Sequence, residues 1–204
     1  MVRVTCWYGN WREGRTTRHP YRKPADVELT DADLVARILV DDDQHAFGEL
    51  VRRHQPSVRG LLRQLTRTDI ALADDLAQET FLRAYKNIRG FRGEARFSTW
   101  LYRIAYNCFR EDARRRKEFV GIDEEQLQAE QDPQAVDSGL RHDLMHALGL
   151  LPLPERSAVL LCCQNGLSHD EASRVLGIPL GTVKTNVLRG REKLKRTLAE
   201  WGPN

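Results

Sequence analysis

The sequence predicts an all-α protein made of two small helical domains joined by an acidic linker. Apolar residues recur at helical spacing on both sides of residues 119–139, and no alternation of period two occurs anywhere. The intervening stretch is rich in Glu, Gln and Asp and has no sustained apolar period. A chain of 204 residues, 41% of them hydrophobic, suffices for two small cores and argues against wholesale disorder.

Charge divides the chain in the same way, although the formal net charge is only +3. Residues 44–118 carry sixteen basic and nine acidic residues, and residues 144–204 carry eight and five. Between them, residues 119–143 carry one basic and seven acidic residues. Two basic blocks separated by an acidic one indicate two modules. We predict an N-terminal extension at 1–26, a first domain at 27–118, a linker at 119–139 and a second domain at 140–204.

Composition also excludes several classes of protein. No apolar run approaches the eighteen residues of a membrane span, and no apolar segment of a secretory signal follows the N-terminus. The four cysteines form no CxxC pair and no small disulfide framework. These features predict a cytoplasmic protein that needs no cofactor.

The first 25 residues match neither module, because two tryptophans and six basic residues occur there without a helical pattern. We expect this segment to be disordered. A basic arm that contacts nucleic acid is an alternative, and so is a true start at Val27, read from an alternative start codon.

The apolar spacing predicts helices over about residues 31–40, 44–66, 70–88, 97–118, 140–151, 155–165, 168–176 and 181–200, the second kinked near Pro56. Thr30 with Asp33, and Ser168 with Glu171, have the spacing of N-terminal capping boxes.

The helix that begins at Phe97 is predicted to have an apolar face, which includes Trp100, and an opposite polar face. That polar face carries Tyr102, Arg103, Tyr106, Asn107 and Arg110. Aromatic rings among cations suit single-stranded nucleic acid, because the rings stack on bases while the cations neutralise phosphates. A solvated charged face is the alternative interpretation.

Just upstream, residues 89–96 read RGFRGEAR and predict a glycine-containing loop. Such a loop can bring its backbone close to a nucleotide while arginines bind the phosphates. Its candidate contacts are Arg89, Phe91, Arg92 and Arg96. An ordinary turn between helices would have the same composition.

The helix at 70–88 is predicted to bury its small and apolar residues and to expose one stripe. That stripe consists of Asp75, Gln78, Glu79 and Leu82. An exposed leucine among polar residues favours a contact with another protein, although single exposed leucines are common.

Residues 166–200 predict a helix-turn-helix, with a turn at 177–179 between a capped helix and a longer one. Apolar residues fill the inward positions, namely Ala172, Leu176, Ile178, Val183 and Val187. The exposed start of the second helix carries Thr182, Lys184, Thr185, Asn186 and Arg189. In this motif such residues face base edges in the major groove, where Asn can pair with adenine and Arg with guanine. A helical hairpin of a protein-binding domain is the alternative.

Three segments together resemble a known family. DDLAQETFLRAYKNI, FRGEARFSTWLYRIAYN and GLSHDEASRVLGIPLGTVKTNVLRGREKL occur in this order across the acidic linker. They are similar to the region 2 and region 4 motifs of extracytoplasmic-function (ECF) sigma factors, small members of the sigma-70 family. The resemblance covers about residues 30–200. It implies a subunit of bacterial RNA polymerase that recognises the −10 and −35 promoter elements and helps melt the DNA.

The resemblance also implies a role for each surface. The stripe of Asp75, Gln78, Glu79 and Leu82 falls in the helix that docks on the β′ clamp helices of core polymerase. Residues 89–97 and the polar face of the next helix match the part that captures the unwound −10 strand, and the start of the last helix matches the −35 reader. Region 4 would also bind the β flap, and an anti-sigma factor is a possible further partner. Asn186, where the family often has Arg, and Gly190, where Ala is more usual, depart from the pattern.

Two rival functions stay open at this point. A conventional DNA-binding regulator would not contact polymerase and would use residues 1–118 as a sensor domain. An enzyme would need a catalytic or metal constellation, and the nearest candidate is His142 and His146 beside Asp143, with no third ligand evident. We predict no catalysis and no metal.

Overall fold

The structure, a computed structural model, describes residues 29–67, 69–120 and 140–200. Within these residues it contains eight α-helices and no strand, which confirms the predicted all-α class. The helices are α1 (Asp31–Asp41), α2 (Gln44–Leu65), α3 (Ile70–Asn87), α4 (Phe97–Val120), α5 (Leu140–Leu150), α6 (Leu153–Val159), α7 (His169–Leu176) and α8 (Leu180–Glu200). A 3₁₀ turn (Ile88–Gly90) follows α3, and a π-helical turn (Leu160–Gln164) follows α6. The predictions for residues 1–26, and for nearly all of the linker, lie outside the described residues.

The first half is a bundle of α1 to α4, in which α2 packs against each of the other three helices. Asp43 and Asp69 accept backbone N–H bonds at the starts of α2 and α3, and the predicted capping box of Thr30 with Asp33 is present. Helix α2 continues through Pro56. Leu50, Leu101 and other apolar side chains with no exposed surface form the centre of this bundle.

The second half consists of α5 to α8. Ser168 and Glu171 form the second predicted capping box, and they start α7. Gly177 ends α7 with φ +68°, a backbone conformation that glycine adopts without the penalty of a β-carbon. The chain then turns into α8, which packs against α5, α6 and α7. The predicted inward residues of this pair are buried, apart from the half-buried Ile178.

The two halves also pack against each other. Helix α4 lies against α7, and α2 lies against α5, α6 and the π-helical turn, so that one continuous apolar cluster runs through both halves. The two-domain prediction did not include this contact. It determines which of the predicted site residues are accessible.

Candidate nucleic-acid interface

The predicted stripe on α3 lies on its outer side. Asp75, Gln78 and Leu82 are exposed, and 55% of the Leu82 surface is accessible. Glu79 is only partly exposed, because its carboxylate accepts a hydrogen bond from Nε of Arg83 at 2.7 Å. The Arg83 guanidinium also donates to Glu111 on α4, and these two carboxylates raise its pKa. The stripe therefore presents one apolar side chain on a helix that is held to α4.

The loop after α3 is shaped by an aromatic cluster and by one glycine. The Phe91 ring lies 5.6 Å from the Phe97 ring and 5.3 Å from the Trp100 ring, measured between centroids. Phe91 and Trp100 are thus half-buried side chains that pack against the core. Gly93 has φ +72°, which favours glycine. Of the predicted contacts here, Arg89 and Arg92 are exposed, whereas Phe91 anchors the loop.

The predicted polar face of α4 is only partly exposed. Arg103, Asn107 and Arg110 are exposed, but Tyr102 and Tyr106 are buried, with 5% and 9% of their surfaces accessible. Burial raises the pKa of the Tyr102 phenol, which is hydrogen-bonded to Ser57 on α2. The pattern on which the prediction rested gives an amphipathic helix one buried face, whereas α4 packs against α2, α3 and α7.

The second half lies against the predicted −10 surface, here defined as residues 89–96 with Tyr102, Arg103, Tyr106, Asn107 and Arg110. A cavity of about 260 Å³ is lined by this loop and Arg103, and also by Arg174 and Val175 of α7. Further along α4, Leu153 of α6 lines a cavity of about 440 Å³ together with Tyr106 and Asn107. Residues of the second half therefore lie next to the −10 surface at both ends of that surface.

Arg96 joins the two halves directly. Its Nε and Nη2 atoms donate to Oε1 and Oε2 of Glu171 at 3.0 and 2.9 Å, and Nη2 also donates to the Gly166 carbonyl at 3.3 Å. The buried Thr99 hydroxyl donates to Glu171 Oε1 at 3.1 Å. The Arg96 guanidinium, the Ser168 capping interaction and Thr99 hold the pKa of Glu171 at about 2. The sequence indicated only the local capping role of Glu171.

The helix-turn-helix places the predicted −35 residues on the free side of α8. Val183 and Val187 face α7 and are buried, which leaves Thr182, Lys184, Thr185 and Arg189 exposed and Asn186 half-buried. The Thr185 hydroxyl donates to the Gly181 carbonyl in the preceding turn at 3.0 Å. Three hydrogen-bonding side chains and two cations thus project from the first three turns of this helix.

Other kinds of site were also considered in the sequence. No helix in the described ranges is long and apolar enough to cross a membrane. The same residues contain no group of three or more His, Cys, Asp or Glu side chains that could hold a metal ion. The candidate pair of His142 and His146 lies on α5, where the His142 side chain is outside the described part.

Family models match both halves of the chain. The model described as Sigma-70 region 2 matches residues 50–119, and the one described as Sigma-70, region 4 matches residues 141–194. The first contains the α3 stripe and the −10 surface, and the second contains the helix-turn-helix.

Curated proteins and solved structures are similar over most of this chain. The ECF RNA polymerase sigma-E factor of Haemophilus influenzae is 34% identical over 84% of this chain and 96% of its own length. ECF RNA polymerase sigma factor SigE of Mycolicibacterium smegmatis is 38% identical over 76% of this chain, but the match spans only 62% of its own length. The sigma factor RpoE of Bartonella quintana, solved with the anti-sigma factor NepR, has a TM-score of 0.64 and 26% identity, covering 75% of this chain and 96% of that one.

A helical bundle that carries sigma-70 region 2, followed by a helix-turn-helix of region 4, defines a promoter-recognition subunit of bacterial RNA polymerase. The chain belongs to the sigma-70 family, among its ECF sigma factors. Its function is promoter-specific initiation of transcription, in which regions 2 and 4 bind core polymerase and promoter DNA.

Proposed function

We propose a division of this function among three surfaces of the chain. The stripe of Asp75, Gln78, Glu79 and Leu82 docks on the β′ clamp helices of core polymerase, and the second half also contacts the β flap. The −10 surface captures the unwound strand of the −10 element. The start of α8, with Thr182, Lys184, Thr185, Asn186 and Arg189, reads the −35 element in the major groove.

The −35 assignment is carried by one observation, the exposed polar start of α8. Helix α7 packs against Val183 and Val187 on the opposite side of α8. This contact fixes the direction in which the exposed side of α8 faces. A side chain that reads a base must project from a helix that other contacts hold in place. Arg189 can form a bidentate pair with guanine, and Lys184 can neutralise a phosphate.

The −10 assignment is supported by exposed cations around an aromatic anchor. Arg89, Arg92, Arg103 and Arg110 are exposed, and Asn107 adds a hydrogen-bonding amide.

Opening DNA costs about 1.4 kcal/mol per stacked step. Because Tyr102 and Tyr106 are buried, a captured base would stack on the half-buried Phe91 ring, which lines the cavity beside this loop, and this would return about 1–3 kcal/mol. Capture of one or two bases therefore offsets the nucleation of melting, and polymerase supplies the rest.

The protein acts in this proposal by binding alone, in the cytoplasm, with no catalytic group, cofactor or metal. Regulation by an anti-sigma factor is part of the proposal, because the similar sigma factor RpoE of Bartonella quintana was solved in complex with the anti-sigma factor NepR.

A reconstituted transcription assay tests the division of roles. The full chain is added to sigma-free core polymerase with a mixed library of promoter fragments, and the run-off RNA is sequenced. We expect transcripts that share a two-part element. Arg189→Ala should lower the free-energy discrimination between bases at one −35 position by about 1–3 kcal/mol. Lys195→Ala, on the exposed surface of the same helix beyond its start, is the matched control.

The outcome that contradicts the proposal is DNA binding without polymerase binding and without transcripts. That result would favour a conventional regulator. Equal promoter selection by Arg189→Ala and the wild-type protein would contradict the −35 assignment alone.

A further inference from the structure

We propose that this protein has a small-molecule site outside the three surfaces assigned above, and that the ligand of this site is the anion of a fatty acid. The site is a cavity of about 900 Å³ formed by α2, α5, the π-helical turn and α8. Its lining includes no residue of the α3 stripe, of the −10 surface or of the −35 set on α8. The site is therefore independent of the roles proposed for those surfaces.

The walls of the cavity are largely apolar. Helix α5 supplies Leu144, Met145 and Leu148, the π-helical turn supplies Leu160, and α8 supplies Leu194. Leu144 is 41% exposed, although it lines the same cavity as the buried Leu148 and Leu160. Cavities of about 300–1,000 Å³ with mainly apolar walls and a few polar groups are typical of small-ligand sites. An alkyl chain in this cavity would cover Leu144 and leave water itself.

The charged groups at this cavity are arginines, and none of the described residues that line it is acidic. Arg59 and Arg63 lie one turn apart on α2, and the exposed Arg191 lies on α8. Oδ1 of Asp74 on α3 is 3.2 Å from Nε of Arg59 and 3.7 Å from Nη2 of Arg63. Two guanidinium groups thus share one carboxylate, which leaves one positive charge unbalanced, and Arg191 adds another.

The shared carboxylate also leaves hydrogen-bonding capacity unused. Nε of Arg59 and Oδ1 of Asp74 are both buried, yet neither atom has a hydrogen-bond partner within the described part of the chain. Each guanidinium carries several N–H donors in a planar fork. A second carboxylate in the cavity can accept two parallel N–H bonds from such a fork, which is the strong geometry for this pair of groups.

A fatty acid anion meets both requirements of the cavity. Its alkyl chain matches the leucine-rich walls, and its single negative charge balances the excess positive charge on α2. A small hydrophilic anion would leave the apolar walls uncovered. An uncharged lipid would give the arginines no charged acceptor.

Calorimetric titration of the full chain with dodecanoate, below its micelle concentration, tests the ligand class. We expect saturable binding of one dodecanoate per chain. Decanoate has two fewer methylene groups and should bind about tenfold more weakly, because each buried methylene contributes about 0.8 kcal/mol, or nearly fourfold. Dodecanol has no charge and should also bind at least about tenfold more weakly. Dodecyl phosphate tests the head group, and we expect it to bind no more tightly than dodecanoate.

Substitution of two arginines tests the position of the head group. The double variant Arg63→Gln, Arg191→Gln removes one cation from α2 and one from α8 while keeping amide donors. We expect at least about a tenfold loss of dodecanoate affinity, since hydrogen bonds to charged groups are the strong ones. Arg196→Gln is the matched control, because Arg196 is exposed on α8 but does not line the cavity.

Gly60→Leu tests the position of the alkyl chain by filling the cavity. The nearest atom to a β-carbon at Gly60 is Nε2 of Gln164 at 3.9 Å, and leucine favours a helix more than glycine does, so this variant should fold. We expect it to abolish dodecanoate binding. Gly48→Leu is the control in the same helix, because a β-carbon there has no atom within 4 Å and Gly48 lies outside the cavity. Circular dichroism checks that both variants are folded.

Cys163 reports where the ligand binds, because it is exposed and lines the cavity. Burial raises the pKa of Cys108 and of Cys162, so these thiols react more slowly with iodoacetamide. We expect saturating dodecanoate to slow alkylation of Cys163, followed by mass spectrometry, by at least about fivefold. The same addition should have no effect on Cys163 in the Gly60→Leu protein.

Four outcomes would overturn the site: no binding of dodecanoate, equal affinity for dodecanol, tighter binding of dodecyl phosphate, or undiminished dodecanoate binding by a folded Gly60→Leu protein. If the chain instead formed dimers in sedimentation velocity that Gly60→Leu abolished, the cavity would belong to a second copy of the chain. None of these measurements uses polymerase or a promoter. Failure of the transcription assay would therefore be distinguishable from failure of this site.

Discussion

Gly190 on α8 lies so close to Val159 on α6 that a β-carbon added to Gly190 would be 2.6 Å from Cγ2 of Val159. It would also lie 3.5 Å from the Glu155 carbonyl oxygen. From the sequence alone, a glycine inside a helix is expected only to destabilise that helix by about 1 kcal/mol relative to alanine. The position of Gly190 in the fold shows that the missing β-carbon permits close packing of α8 on α6.

Gly190→Ala is accordingly expected to destabilise the protein. The gain in helix propensity is about 1 kcal/mol, but forcing a methyl group into a packed contact typically costs about 1–3 kcal/mol. Val159 is β-branched and buried, so it cannot swing aside easily. We expect a net loss of about 1 kcal/mol in the free energy of unfolding, measured by urea denaturation.

Two further variants make this prediction sharp. Val159→Ala in the Gly190→Ala background should recover part of the loss, which a double-mutant cycle measures. Gly48→Ala in α2 has no atom within 4 Å of the new β-carbon and should stabilise the protein by about 1 kcal/mol. If Gly190→Ala stabilised the protein as much as Gly48→Ala, the close-packing explanation would be wrong.

Arg156 should be among the most sensitive positions, since its guanidinium is buried against backbone carbonyls of both halves. It donates to Leu65 at 3.2 Å and to Gly149 at 3.5 Å. Arg156→Ala would remove charged hydrogen bonds and leave a cavity, with an expected cost of about 3 kcal/mol. Arg156→Met fills most of the space and should cost less. Equal stability of Arg156→Ala and wild type in urea denaturation would contradict this role.

The helices and the free side of the helix-turn-helix were predictable, because they follow from local signals. Apolar spacing, two capping boxes and the turn at Gly177 act within a few residues. The contact between the halves depends on single polar residues that no periodicity links, such as Arg96 and Glu171. The burial of Tyr102 and Tyr106 was not predictable either, since a pattern along α4 contains no information about the other helices that pack on it.

Protonation of Glu171 should lower the free energy of unfolding of the protein as the pH falls. Its pKa is lowered from 4.5 to about 2 in the folded state, so the folded state favours the charged carboxylate. The stabilisation is fully present above the unfolded value and is lost as the pH falls from about 5 towards 2, where the unfolded chain binds more protons. The difference in unfolding free energy between wild type and Glu171→Gln should therefore be larger at pH 7 than at pH 3. A difference that stayed constant over this range would contradict the assigned cause.

Leu82→Arg should weaken binding to core polymerase without destabilising the fold. The side chain is 55% exposed on α3, so its replacement removes little core packing, whereas a new charge at a docking surface costs desolvation. We expect at least a tenfold loss of affinity in a pull-down or fluorescence titration with core polymerase. Ile70→Arg, in the same helix with 58% exposure but outside the stripe, is the matched control. Equal losses for both variants would argue against a specific contact at Leu82.

Asn186→Arg should change the −35 preference of the protein while leaving polymerase binding intact. Asn186 is half-buried at the start of α8, between the exposed Thr185 and the buried Val187. An Asn amide pairs bidentately with adenine, whereas an Arg guanidinium pairs with O6 and N7 of guanine. The substitution should therefore enrich guanine at one −35 position of the promoters selected from a mixed library, with a discrimination of about 1–3 kcal/mol. Because the −10 surface is unchanged, the −10 consensus among the same transcripts is an internal control. If the −35 consensus were unchanged while transcription still depended on the variant, the proposed contact of Asn186 with a −35 base would be contradicted.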